Sequence, residues 1–315
     1  MNTHPTPDVA PSQPSVPRDG HEPDTGAPDQ RRTLTGVVMM ASSAVSNQFG
    51  AAVGATAFDA IGPIGVVAVR QIVGAAVLLP TVRPPLHRFT RAQWWPVLLL
   101  GLVFVTMNLT LYTAVERIGL GLAVTLEFLG PLAVAIASSR RAVDVVCAIA
   151  ALGGVWVLVM PGPSSDLIGI GSGLIAAGCW ASYILLNRMI GRRIRGLQGT
   201  AASTAVAAAM TIPVVIVFAL DGRFTPTSLL AAVAAGVFCS AVPYVLDLAA
   251  IRRVPTPVFS VFMSIHPVVA AVAGLLVLRQ VPSLHVWIGI GIIVAVNATV
   301  TGVRRRPVSP PPNPT

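Results

Sequence analysis

Ten apolar stretches, each long enough to cross a bilayer, limit this chain more than any other feature. They run over about 34–54, 62–82, 95–115, 119–138, 143–160, 168–189, 198–220, 228–250, 257–278 and 285–303. A helix needs ~20 residues to cross ~30 Å of hydrocarbon, and each stretch approaches that length. A soluble fold could not hide them. The chain is 54% hydrophobic and 10% charged, whereas a soluble domain is about 25% charged. The runs are continuous rather than alternating, which argues against a β-barrel. The predicted fold is all-α, an integral membrane protein with ten transmembrane helices.

Charge supplies the orientation. The chain carries 21 basic residues, all of them arginine. With the N-terminus in the cytoplasm, seventeen lie on the cytoplasmic side: Arg18, Arg31 and Arg32; Arg83, Arg88 and Arg91; Arg140 and Arg141; Arg188, Arg192, Arg193 and Arg195; Arg252 and Arg253; Arg304, Arg305 and Arg306. Arg117, Arg223 and Arg279 fall on the far side, and Arg70 within the membrane. This is a positive-inside distribution, and it predicts a membrane protein with both termini cytoplasmic. Arginines spaced between apolar segments do not make a phosphate-binding face, so no nucleic-acid partner is expected. Trp94 and Trp95 suit the headgroup layer. Residues 1–33 and 304–315, rich in proline and small polar residues, read as disordered tails; the first has no apolar run and is no signal peptide.

Internal similarity divides the rest. Ala114–Ile118 aligns with Ala250–Val254 at an offset of 136, which also carries Gly130-Pro131 onto His266-Pro267. At 137, Gly36–Ser46 resembles Gly173–Tyr183. Two five-helix repeats are expected, over 34–160 and 161–303. Five is odd, so the second would enter the membrane from the opposite face, an inverted repeat that places a binding site between the halves near the midplane.

Charges at membrane depth cost about 2.5–3.5 kcal/mol on insertion scales, so those present point to function. Arg70 is too deep to snorkel; it is a candidate anion site, its plainer role being an ion pair. Glu127 is mid-span, four residues before Pro131, whose missing N–H kinks the helix and frees a carbonyl. It could hold an ammonium group or a proton, or simply pair with Arg70. His266, beside Pro267 in the second half, and Asp247 are further proton-coupling candidates. Pro131 and Pro267 are the expected kinks. Asn108, Tyr112 and Tyr183, with Asn47 and Gln48, could line a polar path or only bond between helices.

Other chemistry is excluded or unsupported. Without lysine there is no Walker A loop and no Schiff base. No His-Glu-x-x-His or Gly-x-Ser-x-Gly occurs. Cys147, Cys179 and Cys239 lack metal-ligand spacing and read as small core residues. No enzyme, cofactor or metal is expected.

Several stretches resemble a known family. They are Met107-Asn108 through Leu111-Tyr112, Gly121 through Glu127-Phe-Leu-Gly-Pro131 to Ala135, Ser138-Ser-Arg-Arg-Ala-Val-Asp144, Gly178-Cys-Trp180-Ala-Ser-Tyr183 and Val242-Pro-Tyr244-Val-Leu-Asp247. The chain resembles EamA-type carriers of the drug/metabolite transporter superfamily over residues 34–303, most closely its bacterial threonine and homoserine exporters. The resemblance implies ten helices in two inverted halves, no cofactor, and secondary export across a bacterial cytoplasmic membrane. Two carboxylates usual in such carriers are replaced, one by His266 and one in Leu278-Arg279-Gln280.

The leading expectation is therefore a proton-antiporting exporter of small hydrophilic amino acids, with Arg70 on the substrate carboxylate and Glu127 on its ammonium. Export of cationic drug-like compounds would need Glu127 but not Arg70. A non-transporting scaffold or sensor would have its buried charges paired and no polar cavity between the halves.

Overall fold

A computed structural model describes residues 30–138, 142–158, 160, 166–251 and 264–303. Among them the regular structure is entirely helical: α1 Gln30–Ala55, α2 Phe58–Val82, α3 Arg91–Ile118, α4 Leu120–Glu127, α5 Leu129–Ala137, α6 Ala142–Leu158, α7 Leu167–Gly191, α8 Gln198–Leu220, α9 Pro226–Gly236, α10 Val242–Ile251, α11 His266–Leu278 and α12 Leu284–Val303. Six segments are long and apolar enough to cross a membrane: α2, α3, α4 with α5, α7, α8, and Pro226–Asp247. Val145–Leu158, His266–Leu278 and Leu284–Val300 are shorter apolar helices. Residues 30–33 of the expected first tail begin α1; the rest of the expected tails, the loop arginines Arg140, Arg141, Arg252 and Arg253, and the start of the 257–278 stretch lie outside the described residues.

The first expected span is not among the six, although α1 is continuous. Ser42, Ser43, Ser46, Asn47 and Gln48 dilute its apolar character. α1 packs on α9, α10 and α11 along one face, while Leu34, Val38 and Val45 on the other are exposed.

Local chemistry sets the breaks. α3 starts earlier than hydropathy suggests because Thr90 and Gln93 form a capping box, which satisfies otherwise orphaned N–H groups. It ends at Gly119, whose φ of +83° suits glycine in a turn that L side chains resist. The next rod is broken at Phe128 into α4 and α5. Pro131 has no N–H to offer the Glu127 carbonyl, so the ladder fails at that point. Gly130 lies so close to α7 that a Cβ there would collide with the Ala177 carbonyl. Between α9 and α10 the chain widens into a π-turn over Val237–Ala241; Pro243 follows, again without an N–H.

The helices of 34–160 pack mainly on those of 161–303. α2 packs on α8, α4 on α11 and α6 on α12. α3 packs on α7 as α1 does on α10, and α3 on α8 as α2 does on α9. α4 and α5 meet α7, and α11 meets α1. Small residues allow the close approaches: a Cβ on Gly121 would lie 2.9 Å from Ala271 Cα across the α4–α11 contact.

Candidate functional site

The α3–α4 turn at Gly119 and breaks in two rods, at Phe128 and the π-turn, lie beside a cavity of about 310 Å³. α2 contributes Arg70, α3 Asn108 and Tyr112, α4 Glu127 and α7 Tyr183. All five residues expected to touch substrate therefore line one space. A second cavity of about 290 Å³ shares Arg70, Asn108 and Tyr183 with it. It continues past Gly74, Leu78, Thr200 and Thr204, toward the end of the molecule that carries the α2–α3 and α7–α8 connections.

The Arg70 guanidinium donates from Nη1 to the Tyr112 hydroxyl at 3.2 Å and sits 5.5 Å from the centre of that ring. Tyr112 itself is buried and braced edge-on by Phe58. Arg70 and Glu127 do not pair: among the described residues the sole ion pair joins Arg117 to Asp166. A guanidinium has five donors, so Arg70 retains several toward the cavity. Glu127, at 6% exposure, is the last residue of α4. Asn108 Nδ2 donates to the Phe104 carbonyl of its own helix at 2.8 Å, which leaves its side-chain oxygen for the cavity.

His266 lies elsewhere. It does not border the cavity. Its Nδ1 is 3.2 Å from Gln48 Nε2, and its ring stacks on Phe128 at 5.6 Å and 30°. Gln48 does reach the cavity, so His266 stands one layer behind the wall. Pro267 is at the first turn of α11 rather than within a continuous helix. Asp247 does line the cavity. Its Oδ1 is buried with no hydrogen-bond partner among the described residues.

Sequence reasoning missed Cys239 and Trp180. Cys239 is buried, as a core residue would be, but it also borders the cavity and its Sγ donates to the Asn47 carbonyl at 3.1 Å. The π-turn puts it there, and Pro243 four residues on was the available signal. Trp180 braces Phe128 edge-on at 4.7 Å, beside Glu127.

At the opposite end the α3–α4 turn is held twice. Arg117 Nη1 donates to Asp166 Oδ2 at 2.9 Å. Asp166 also caps α7, accepting from Ile168 and Gly169 N–H. The Gly169 bond, then Arg117, hold its carboxyl below the usual range. On the other side Gln280 Oε1 accepts the Leu120 N–H at 2.9 Å, satisfying a donor that the start of α4 would otherwise orphan.

Comparison with known proteins agrees with this architecture. Residues 167–301 match the EamA-like transporter family. The chain is 34% identical to the threonine/homoserine exporter RhtA of Salmonella typhimurium over 275 residues, 86% of this chain and 92% of that one. The Escherichia coli K12 exporter of the same name is 33% identical over 262 residues, 82% of this chain and 88% of that one. An uncharacterized transporter from Clostridium kluyveri is 25% identical across 75% of this chain and 82% of its own. A crystal structure at 20% identity superposes with a TM-score of 0.55 over 89% of this chain and 99% of that one, which speaks to fold alone. Identity at this level across most of both chains makes this a multi-pass membrane transporter, and the chain belongs to the EamA-like transporter family, beside the RhtA exporters.

Proposed function

We propose that the protein exports a small hydrophilic amino acid of the threonine/homoserine class, in exchange for protons, through ten membrane helices arranged as two inverted five-helix repeats. One observation carries the substrate reading: Arg70 and Glu127 face a common cavity without pairing. Opposite charges held apart across a polar space suit a zwitterion. Arg70 takes the carboxylate, which guanidinium can grip at two points, and Tyr112 positions it. Glu127 takes the ammonium. The names of the related exporters support the substrate class. A scaffold would leave no such cavity between its halves, and a carrier of lipophilic cations would have no use for Arg70.

The repeat reading draws support from packing. With α4–α5 and α9–α10 each counted as one rod, exchanging the first five rods for the second five returns the pairings described above. The arginine distribution supports the inversion and cytoplasmic termini.

Coupling follows from Glu127. A proton on this carboxylate removes the partner of the substrate ammonium, so protonation from outside and substrate release there are linked. The linkage works only if proton and substrate prefer different states. His266, one layer back, positions Gln48 and Phe128.

The test is Glu127→Gln in proteoliposomes. Homoserine counterflow should be abolished while the melting temperature holds. Normal transport with a lowered melting temperature would make Glu127 structural and overturn the assignment.

A further inference from the structure

The cavity's charges do not balance for a zwitterion. Its charged lining is one cation, Arg70, and two anions, Glu127 and Asp247. If Arg70 and Glu127 take the two ends of an amino acid, Asp247 remains. Among the described residues no cationic side chain pairs with it, and its buried Oδ1 has no hydrogen-bond partner. Arg252 and Arg253, five and six residues on, lie outside the described residues.

We propose that the same site accepts amino acids bearing a second, side-chain ammonium group, and that Asp247 is the residue that receives it. This rests on the reading that Arg70 and Glu127 hold the backbone groups. Asp247 also stands at a suitable remove. On α10, Pro243 borders both cavities together with Arg70, and Asp247 lines the first of them. Those two α10 residues are one turn apart, roughly 6 Å along the axis. The flexible methylene stem of a lysine- or ornithine-type side chain spans that interval. A short hydroxyl side chain does not, so threonine and homoserine leave Asp247 unmet. Both carboxylates line one cavity of about 310 Å³, a volume that accommodates the longer stem.

Counterflow in proteoliposomes, without an imposed proton gradient, tests the assignment, with labelled L-homoserine, L-lysine and L-ornithine as probes. Wild type should exchange all three, and unlabelled lysine should compete with homoserine. In Asp247→Asn the ratio of lysine to homoserine counterflow should fall at least about tenfold, since one partner of a desolvated charge pair is lost. Ornithine should follow lysine. Wild type that exchanges homoserine but neither diamino acid overturns the inference and leaves the homoserine reading standing. So does an unaltered ratio in Asp247→Asn. Wild type that exchanges none of the three overturns the Arg70–Glu127 reading, and this inference falls with it.

Discussion

A guanidinium inside a membrane protein needs something to fix its direction, and for Arg70 that is the Tyr112 hydroxyl. A hydrogen bond to a charged group contributes about 1.5–3 kcal/mol. Tyr112→Phe keeps the ring and its edge contact with Phe58 but frees the guanidinium to rotate. The apparent affinity for homoserine should fall at least about tenfold, since ~1.4 kcal/mol is a factor of ten. Unchanged affinity would mean that Tyr112 only packs. Arg70 and Glu127 were legible in the sequence because an ionised group at membrane depth is costly enough to need a reason. Asp247 and His266 were legible as titratable groups, but not their surroundings. Nothing in the local pattern tells that His266 turns to Gln48 and Phe128 while Asp247 opens on the cavity, because those neighbours lie on distant helices. Cys239 is the buried core residue that composition suggested, but its place on the cavity wall depends on neighbours from other helices and was not readable.

At the scale of elements, the break between α4 and α5 places Glu127, and Gly130 keeps α5 against α7. A methyl group at 130 meets backbone rather than a movable side chain, so Gly130→Ala should lower stability by about 1–3 kcal/mol through overpacking. Gly153→Ala, where nothing lies within 4 Å of the added Cβ, should leave the melting temperature unchanged and serves as the control. Equal melting of both variants and wild type would show that the α5–α7 contact is looser than described. The α7 cap gives a prediction with a pH sign. The Asp166 carboxyl titrates below its ordinary range, which is about 3.9. Its contribution is thus present above that value and lost as pH falls through the lower, folded one. Melting temperature should owe nothing to Asp166 between pH 7 and 5, so Asp166→Asn, which keeps a capping side chain, should parallel wild type over that interval. Divergence there would place the titration higher than the Gly169 and Arg117 bonds imply. Helix existence was readable from apolar run length; the ends were not, since caps and prolines rather than hydropathy set them. The polar residues of α1 illustrate the limit: Ser43 and Gln48 are buried against protein, and they lower the mean hydropathy of a helix that packs on three others.

For the whole molecule, the two ends of the site differ. One cavity extends past Leu78, Thr200 and Thr204 to the end bearing Arg83, Arg88, Arg192 and Arg195. At the other end the α3–α4 turn is fastened by Asp166 and Gln280, and α4 and α11 meet at Gly121 and Ala271. If the arginine-rich end is cytoplasmic, this arrangement suits loading of an exporter from within. A cysteine placed at Thr204, on the open side, in a background lacking Cys147, Cys179 and Cys239, reports the sidedness directly. An impermeant thiol reagent should modify it in inside-out vesicles and not in intact cells, and saturating homoserine should slow the reaction because Arg70 borders the same cavity. Modification only from the cell exterior would reverse the orientation and with it the reading of the arginines. Equal modification from both sides would mean the clamped end does not close. Protection without sidedness would preserve the site while removing the reading that it loads from the arginine-rich end.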